Sequence, residues 1–502
     1  MNNKLAAFQK NSRGFLGIEK EFQLSWMAIF GLILTIVIFL IAAPKLLVVL
    51  FPFGSLLVAL FLYLRYPILY VGFTWWMWFV APFVRRLIDY RCGFITFSAY
   101  HLTPMLVTSI CGITLYKKLL NSNRTGGIPF ILCFGSVFYA FVIGLIRQSQ
   151  QDFGQTIVNT MGWLCPMMFG FYLYTEWKNY PVLRDSIQKV FVWAVLIMGG
   201  YGIVQFIVAP AWDCFPLIQE QGLTGSSWMG IPQPFGIRVW STMTSPFTFA
   251  LNLMPGLILL FITKSKLRYP AIGVGYLSFL LSRSRTSWYS YILTLFIFFF
   301  SIKSKFQIRL FITIVSIILI VLPLATIEPF SEVISDRLES VTGIAGDYSY
   351  QSRLSQFNQG IDYALEEYIG WGLMGIQGVP TGFSITGEIT GTASGSDNGY
   401  LSLLVSLGWL GLIPYLSGWG MMLYRLFSAP RSQLDLFAII ARAAAFSSIV
   451  RMATTNVTTG EYALPIWGFL SIAMAAQKYF SCQQQVAKTA SISSTLEKVA
   501  SK

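Results

Sequence analysis

The feature that most constrains this chain is a series of apolar runs, about 17 to 25 residues long, that recur between residues 25 and 480. Roughly 20 helical residues cross a hydrocarbon core about 30 Å thick, so each such run is long enough to span a bilayer. Of the 502 residues, 55% are hydrophobic and only 11% are charged, and the mean hydropathy is +0.63. A soluble globular protein of this size would not have this composition. The sequence therefore predicts an all-α polytopic membrane protein.

The apolar runs predict about 12–14 transmembrane helices. Spans 270–283 and 286–302 are short and could instead form one re-entrant hairpin. Reading other neighbouring runs as a single span would lower the number of transmembrane helices. The fourteen candidate spans are 25–43, 46–64, 66–84, 95–116, 128–146, 155–175, 188–209, 245–263, 270–283, 286–302, 308–326, 398–423, 434–454 and 461–480.

Lys and Arg in the short loops orient the chain, because cytoplasmic loops of membrane proteins carry an excess of both. If successive spans cross the membrane in alternating directions, the loops "KSKLR" (264–268) and "KSKFQIR" (303–309) lie on the same face of the membrane. That side holds 24 basic and 6 acidic residues, a net charge of +18, and the other holds 11 basic and 15 acidic residues, a net charge of −4. The sequence thus predicts a multi-pass protein of the cytoplasmic (inner) membrane with both termini cytoplasmic. Nucleic acid is not needed to explain the total charge of +14.

The same alternation predicts how the chain is organised, with one large outer (periplasmic) loop that carries short helices. The predicted segments are a cytoplasmic N-terminal segment (1–24), an N-terminal transmembrane bundle (25–326), the large periplasmic loop (327–397), C-terminal transmembrane helices (398–480) and a cytoplasmic tail (481–502).

The basic residues on the predicted outer side are almost all arginine, whereas Lys outnumbers Arg on the inner side. Arg offers a planar, weakly hydrated fork that suits bidentate binding of phosphate or carboxylate. The alternative is that these side chains snorkel at the interface or pair with outer acids such as Asp89. The outer basic residues are Lys45, Arg85, Arg86, Arg91, Arg147, Arg238, Arg283, Arg285, Arg337, Arg353 and Arg451.

Two groups of outer arginines are close together in the sequence. Arg283 and Arg285 lie in "LSRSRTSWYSYIL", at the outer turn between two short spans whose other ends carry the basic inner loops. Arg85, Arg86 and Arg91 lie in "VRRLIDYRCGF", directly after an aromatic-rich span. We expect both groups at the outer interface or in a cavity that opens there, because bare guanidinium charge in hydrocarbon is unfavourable.

Two outer loops are long enough to carry a site. The first, 210–244, is rich in Gly, Pro, Ser and Thr, which favours loop over span. The second contains "SQFNQGIDYALEEYI" (355–369) with helical spacing of its apolar residues, a "GWG" stop, and a Gly/Ser/Thr-rich stretch that ends at Asp397. Asp397 precedes a span, where Asp is a good helix N-cap. Its alternative role is a carboxylate that accepts a proton from a hydroxyl.

The order of three motifs resembles a known family. These are "LSRSRTSWYSYIL", then "QSRLSQFNQGIDYALEEYIGWGL" in the large loop, then "DNGYLSLLVSLGWLGLIPY". Together with "GIRVWSTMTSPFTFA", which carries Arg238, they resemble the O-antigen ligase and Wzy-type polysaccharide polymerase superfamily of integral-membrane glycosyltransferases. The resemblance covers about residues 235 to 425, and the first 200 residues match only in hydropathy.

The resemblance implies transfer or polymerisation of a glycan from an undecaprenyl-pyrophosphate-linked donor onto a saccharide or lipid-linked acceptor hydroxyl, at the outer face of the cytoplasmic membrane. It implies catalytic roles for Arg283, with Arg285 as a close alternative, and for Arg353 in the loop. The family usually has His where this chain has Asp397, which we take as the acceptor's base or orienting group. Arg285, Arg238, Arg85, Arg86 and Arg91 are candidate substrate-binding residues. Neither a cofactor nor a metal is implied, because Arg charge can stabilise a pyrophosphate leaving group.

Other chemistries have little support in the sequence. The single histidine, His101, lies in a predicted span, and no His/Cys cluster has metal-ligand spacing. Cys92 and Cys214 both fall outside and could pair. The rival function is a multi-span transporter of an anion or a lipid-linked saccharide, and a third is a structural subunit of a polysaccharide export complex. Transporters tend to place ionisable groups near the midplane, often within inverted repeats, whereas these arginines cluster at span ends.

Overall fold

The structure is a computed structural model that describes residues 15–93, 102–119, 126–147, 153–224, 228–315 except 305, 309 and 313, then 365, 368–373, 398–428 and 435–500. Within these residues the chain is α-helical, and its one isolated antiparallel bridge joins Gly230 to Ile237. The helices are α1 (Phe15–Ala42), α2 (Pro44–Arg65), α3 (Pro67–Cys92), α4 (Thr103–Ser109), α5 (Cys111–Lys118), α6 (Ile128–Arg147), α7 (Phe153–Thr175), α8 (Tyr180–Val208), α9 (Ala211–Thr224), α10 (Pro246–Leu259), α11 (Arg268–Leu281), α12 (Arg285–Ser301), α13 (Gly399–Ser428), α14 (Leu436–Arg451) and α15 (Gly460–Ala500).

Six helical segments of the described residues are long and apolar enough to cross a membrane. This confirms the predicted all-α polytopic membrane protein, and the total of about 12–14 spans stays a prediction. The six segments are Gln23–Ala42, Pro44–Arg65, Pro67–Cys92, Ile128–Arg147, Trp177–Val208 and Gly399–Ser428.

The structure differs from the predicted span boundaries in three places. The predicted span 95–116 is instead two short helices, α4 and α5, separated at Ile110, with 94–101 outside the described residues. The predicted outer loop 210–244 contains the helix α9, which the Gly- and Pro-rich composition of its second half did not indicate. The last predicted span, 461–480, continues through the predicted cytoplasmic tail as the 41-residue helix α15.

The core is built from large aromatic side chains where α3, α7, α8 and α15 meet. The ring of Trp75 lies 5.0 Å from Phe191 and 5.6 Å from Phe169, with edge-on geometry. Gly468 of α15 faces this tryptophan, and a Cβ there would lie 2.6 Å from the indole. The absence of a side chain at Gly468 is therefore what lets α15 approach the core so closely, as small residues do in membrane bundles.

A short piece of the large outer loop, residues 368–373, packs between α6 and α13. Trp371 and Gly372 donate backbone hydrogen bonds to the α13 carbonyls of Val405 and Ser406, both at 2.9 Å. This contact coincides with a kink in α13, where Gly408 has a φ of +58°. Of the large loop 327–397, the structure describes only residue 365 and residues 368–373.

Two ion pairs join helix ends that the predicted alternation assigns to the same face. Lys118, at the end of α5, pairs with Glu176 after α7 at 3.0 Å, and both lie on the predicted cytoplasmic face. Arg86, near the end of α3, pairs with Asp213 of α9 at 2.6 Å, and both lie on the predicted outer face. We call these the inner face and the outer face below, and which of them is cytoplasmic stays a prediction.

Candidate functional site

The turn between α11 and α12 carries two of the predicted arginines in an unusual backbone. Arg283 has a φ of +52°, a left-handed conformation that is uncommon outside glycine, and its N–H donates to the carbonyl of Leu280 at 3.0 Å. Arg285 follows as the first residue of α12. The turn therefore places Arg283 and Arg285 beside the N-terminus of a 17-residue helix, where the macrodipole adds partial positive charge.

Arg238 joins the first long outer loop to this turn. Its Nη2 donates to the carbonyl of Arg283 at 3.0 Å, and its Nη1 donates to the carbonyl of Trp228 at 2.8 Å. The guanidinium carbon lies 5.3 Å from the centre of the Phe247 ring, and the residue is only 9% exposed. The structure thus brings together Arg238, Arg283 and Arg285, which the sequence separates by more than forty residues.

The segment between α9 and α10 that carries Arg238, which we call the Arg238 loop, is fixed to the bundle by Gln205, in α8. The buried side-chain carbonyl of Gln205 accepts hydrogen bonds from the backbone N–H groups of Trp240 at 3.0 Å and Ser241 at 2.8 Å. The Ser241 hydroxyl donates to the carbonyl of Met198 at 2.6 Å. Because these buried polar groups satisfy each other, the loop has a defined position next to the α11–α12 turn.

Arg86 lies in a buried ion pair. Its Nη1 donates to Asp213 Oδ1 at 2.6 Å, and its Nη2 donates to the backbone carbonyl of Ser241. Asp213 Oδ2 accepts a further hydrogen bond from the Tyr201 hydroxyl at 2.7 Å. Arg86 is thus a bridge between α3, α9 and the Arg238 loop, and this geometry favours a role in positioning that loop.

The neighbours of Arg86 have different surroundings. Arg85 pairs with Asp89 at 3.2 Å on the same helix, and its side chain is partly exposed. Arg91 is exposed in the last turn of α3. These two side chains are more accessible than that of Arg86, so the three predicted substrate contacts do not form one equivalent group.

A carboxylate that the sequence reasoning did not single out lies behind the Arg238 loop. Glu461 is buried at the start of α15, and its Oε1 accepts a hydrogen bond from the Thr244 hydroxyl. Asn252 of α10 donates to the backbone carbonyl of Glu461 at 3.0 Å. The next residue, Tyr462, places its hydroxyl 3.0 Å from the Ser245 hydroxyl. Glu461 therefore fixes the Ser/Thr-rich end of the loop. In the sequence, the only indication of this role is an acidic residue at the predicted outer start of a span.

The N-cap of α13 is Asn398, whose side-chain carbonyl accepts the N–H groups of Tyr400 at 3.0 Å and Leu401 at 3.1 Å. The N–H of Gly399 donates to the carbonyl of Met452 at 2.7 Å, so α13 begins against the outer end of α14. The N-cap role considered for Asp397 is thus filled by Asn398. Asp397 itself and Arg353 lie outside the described residues.

The outer cysteines are free thiols, so Cys92 and Cys214 do not pair. The pKa of the Cys214 thiol is raised, chiefly by burial and also by the adjacent Asp213 carboxylate. Cys214 is therefore kept in its poorly reactive protonated form. In the part of the chain that the structure describes, no group of three or more His, Cys, Asp or Glu residues could hold a metal ion.

Comparison with known proteins gives one family. Residues 270–416 match the family model described as O-Antigen ligase, which includes the α11–α12 turn with Arg283 and Arg285 and the first half of α13. No curated protein matches the chain. The match confirms the resemblance found in the sequence: this polytopic membrane protein is similar over residues 270–416 to the O-antigen ligase family of membrane glycan ligases and polymerases.

Proposed function

We propose that this protein is a membrane glycosyltransferase that transfers or polymerises a glycan from an undecaprenyl-pyrophosphate-linked donor onto an acceptor hydroxyl. The observation that carries the proposal is the contact of the Arg238 guanidinium with the carbonyl of Arg283, at 3.0 Å, on a turn inside the matched family segment. It gathers Arg238, Arg283 and Arg285 beside one helix N-terminus. The reaction would take place at the outer face of the cytoplasmic membrane, with both chain termini in the cytoplasm.

The leaving group accounts for the concentration of cationic groups. When the bond between the sugar and the pyrophosphate breaks, negative charge develops on the departing phosphate oxygens. Arg283 and Arg285, next to the N-terminus of α12, would stabilise that charge, because fixed donors and helix N-termini favour anions. Arg238 holds the turn by donating to the backbone carbonyls of Ser282 and Arg283. We therefore assign Arg238 first to positioning the turn and second to contacting the diphosphate.

The acceptor hydroxyl needs a base or an orienting hydrogen bond. We assign this role to Asp397, which directly precedes the N-cap of α13 and is relieved of capping by Asn398. Arg353 of the large loop would assist from the donor side. Attack by the hydroxyl opposite the leaving group would invert the configuration at the anomeric carbon. The products would be the extended acceptor and undecaprenyl pyrophosphate.

The second arginine group would bind the remainder of the donor. Arg85 and Arg91 are the accessible members, and they would contact the headgroup or glycan at the interface. Arg86 would act indirectly, through its hydrogen bond to the carbonyl of Ser241 and thus through the Arg238 loop.

The test is transfer of a labelled glycan from an undecaprenyl-pyrophosphate donor, extracted from the native host, by the purified full-length protein in lipid. Arg283→Ala, Arg353→Ala and Asp397→Asn should each lower the transfer rate by about 100-fold or more, as losing a group that stabilises developing charge or transfers a proton does. Lys45→Ala is the matched control, because Lys45 is an exposed outer cation outside both arginine groups and should leave the rate unchanged.

Product length would distinguish ligation of one block from polymerisation. If the folded wild-type protein instead showed no transfer but moved the lipid-linked saccharide or an anion across the same vesicles, that result would contradict the enzyme and favour the transporter. Equal loss in Lys45→Ala and Arg283→Ala would contradict a localised site at the α11–α12 turn.

A further inference from the structure

A cavity of about 690 Å³ opens at the inner face, opposite to the candidate site. It lies between the first turns of α8, the connection from α10 to α11, and the start of α14. Its lining combines charged side chains, among them Arg184, Lys189 and Lys264, with apolar side chains that include Trp193 and Phe437. We propose that this cavity binds the phosphate headgroup of an anionic phospholipid, with an acyl chain along its apolar wall.

The rim contains a fixed frame in which one guanidinium meets two carboxylates. Arg184 donates to Asp435 at 2.9 Å and to Asp185 at 2.8 Å. Asp435 also accepts from the Tyr180 hydroxyl at 2.7 Å and from the backbone N–H of Ala438 at 2.8 Å, which caps α14. These contacts join α8 to α14 at the rim, and the two carboxylates fully compensate the charge of Arg184.

Two lysines on the rim remain uncompensated. Lys189 and Lys264 are exposed, and neither side chain has a hydrogen bond or ion pair within the residues that the structure describes. They approach the cavity from two different elements, α8 and the α10–α11 connection. The side-chain amide of Gln188 donates to the Thr263 hydroxyl at 2.9 Å, which keeps the two elements together. Two ammonium groups that reach the cavity from neighbouring elements can both contact one phosphate.

The apolar wall favours a lipid over a free phosphate ion. Trp193 lies one helical turn beyond Lys189, towards the membrane interior, and is 46% exposed. Ile262 and Phe437 continue the apolar lining from the other two elements. A free anion would gain nothing from this wall, whereas an acyl chain attached to the phosphate would bury apolar surface against it. Tryptophan exposed at this depth is typical of the membrane interface.

The binding test uses the full-length protein, purified in a non-ionic detergent and titrated with phosphatidylglycerol, while bound lipid is measured by native mass spectrometry. Lys189→Gln and Lys264→Gln should each weaken binding about fivefold, and the double variant about 25-fold, because each surface lysine contributes a similar factor towards anionic lipid. Both side chains are exposed, so the variants should fold. Lys303→Gln is the matched control: it is an exposed lysine of the same face outside the cavity, and it should bind as the wild type does.

Three further arms identify the ligand. Phosphatidylcholine should bind at least tenfold more weakly than phosphatidylglycerol, and inorganic phosphate or glycerol 3-phosphate should compete only at much higher concentration. Equal binding of the two lipids, or unchanged binding by the double variant, would overturn the proposal. Competition by inorganic phosphate at the same concentration as the lipid would make the site one for a free anion and overturn the lipid assignment.

Discussion

The two membrane faces of this protein hold their cations differently. On the outer face, the Arg86–Asp213 pair has side chains only 8% and 0% exposed, and it is part of the packed frame. On the inner face, the Lys118–Glu176 pair has side chains 48% and 25% exposed and lies at the surface. Arg442, on the inner half of α14, is nevertheless buried and donates to the carbonyl of Leu426. Residue type therefore matters as much as face, because Arg can direct five donors to fixed acceptors whereas Lys keeps its hydration.

Burial determines which charges can be lost without disturbing the fold. A buried charge that loses its partner must remain desolvated, whereas an exposed one regains water. Substitutions at buried charged residues, such as Arg86 on the outer face and Arg442 on the inner half of α14, should therefore affect folding first. Substitutions at exposed charged residues, such as Lys118, should affect interactions with lipid or solvent and leave the fold intact.

Asp213→Ala should destabilise the protein strongly. It would leave the buried guanidinium of Arg86 without its carboxylate and should lower the free energy of unfolding by about 3–5 kcal/mol. The measurement is unfolding in mixed micelles of increasing denaturing-detergent fraction, followed by circular dichroism. Replacing both partners, as in Arg86→Met with Asp213→Leu, should recover most of the loss. A loss below about 1 kcal/mol in Asp213→Ala would show that the pair is far better solvated than its burial indicates.

An intermediate effect is expected at the start of α13. Asn398→Ala removes the side-chain carbonyl that caps the helix and should lower the free energy of unfolding by about 1 kcal/mol. Asn398→Asp is the control, because an Asp cap accepts the same hydrogen bonds and should retain wild-type stability. The same detergent titration measures both variants. Loss of stability in Asn398→Asp as large as in Asn398→Ala would mean that the side-chain amide, rather than the cap, is what matters.

Hydropathy was sufficient to predict the helical membrane fold, and the order and spacing of the motifs were sufficient to predict the similarity to the O-antigen ligase family over residues 270–416. The turn at Arg283 between two short helices was also predicted, and its outer location stays a prediction that rests on the basic loops at the other ends of those helices. The helix α9 was missed, since the Gly, Pro, Ser and Thr residues of the same loop indicated an irregular chain. The sequence alone does not decide which residue caps α13, because Asp397 and Asn398 are adjacent and both residue types make good N-caps.

The site was less predictable than the fold because its contacts are distant in sequence. Arg86 was predicted to bind substrate, but its partner Asp213 is 127 positions away and nothing local marks the pair. Glu461 was not singled out, since an acid at the start of a span also reads as an ordinary polar boundary. The contact of Arg238 with the Arg283 carbonyl likewise depends on a distant residue, because Gln205 of α8 binds the backbone of the Arg238 loop and so positions it. The roles of Asp397 and Arg353 stay predictions.

Lys118→Ala on the inner face should change the stability least. The pair with Glu176 is exposed, so its loss should lower the free energy of unfolding by about 0.2–1 kcal/mol, and raising the salt concentration to about 1 M should remove most of that difference. Glu176→Gln is the matched control, because it removes the same charge pair while keeping a polar side chain, and it should match Lys118→Ala. The detergent titration is repeated at low and high salt. Asp213→Ala should keep its full effect at high salt, since a buried pair is screened much less. If Lys118→Ala were as damaging as Asp213→Ala and as insensitive to salt, burial would not be what separates the two faces, and the difference would have to come from the helices that each pair joins.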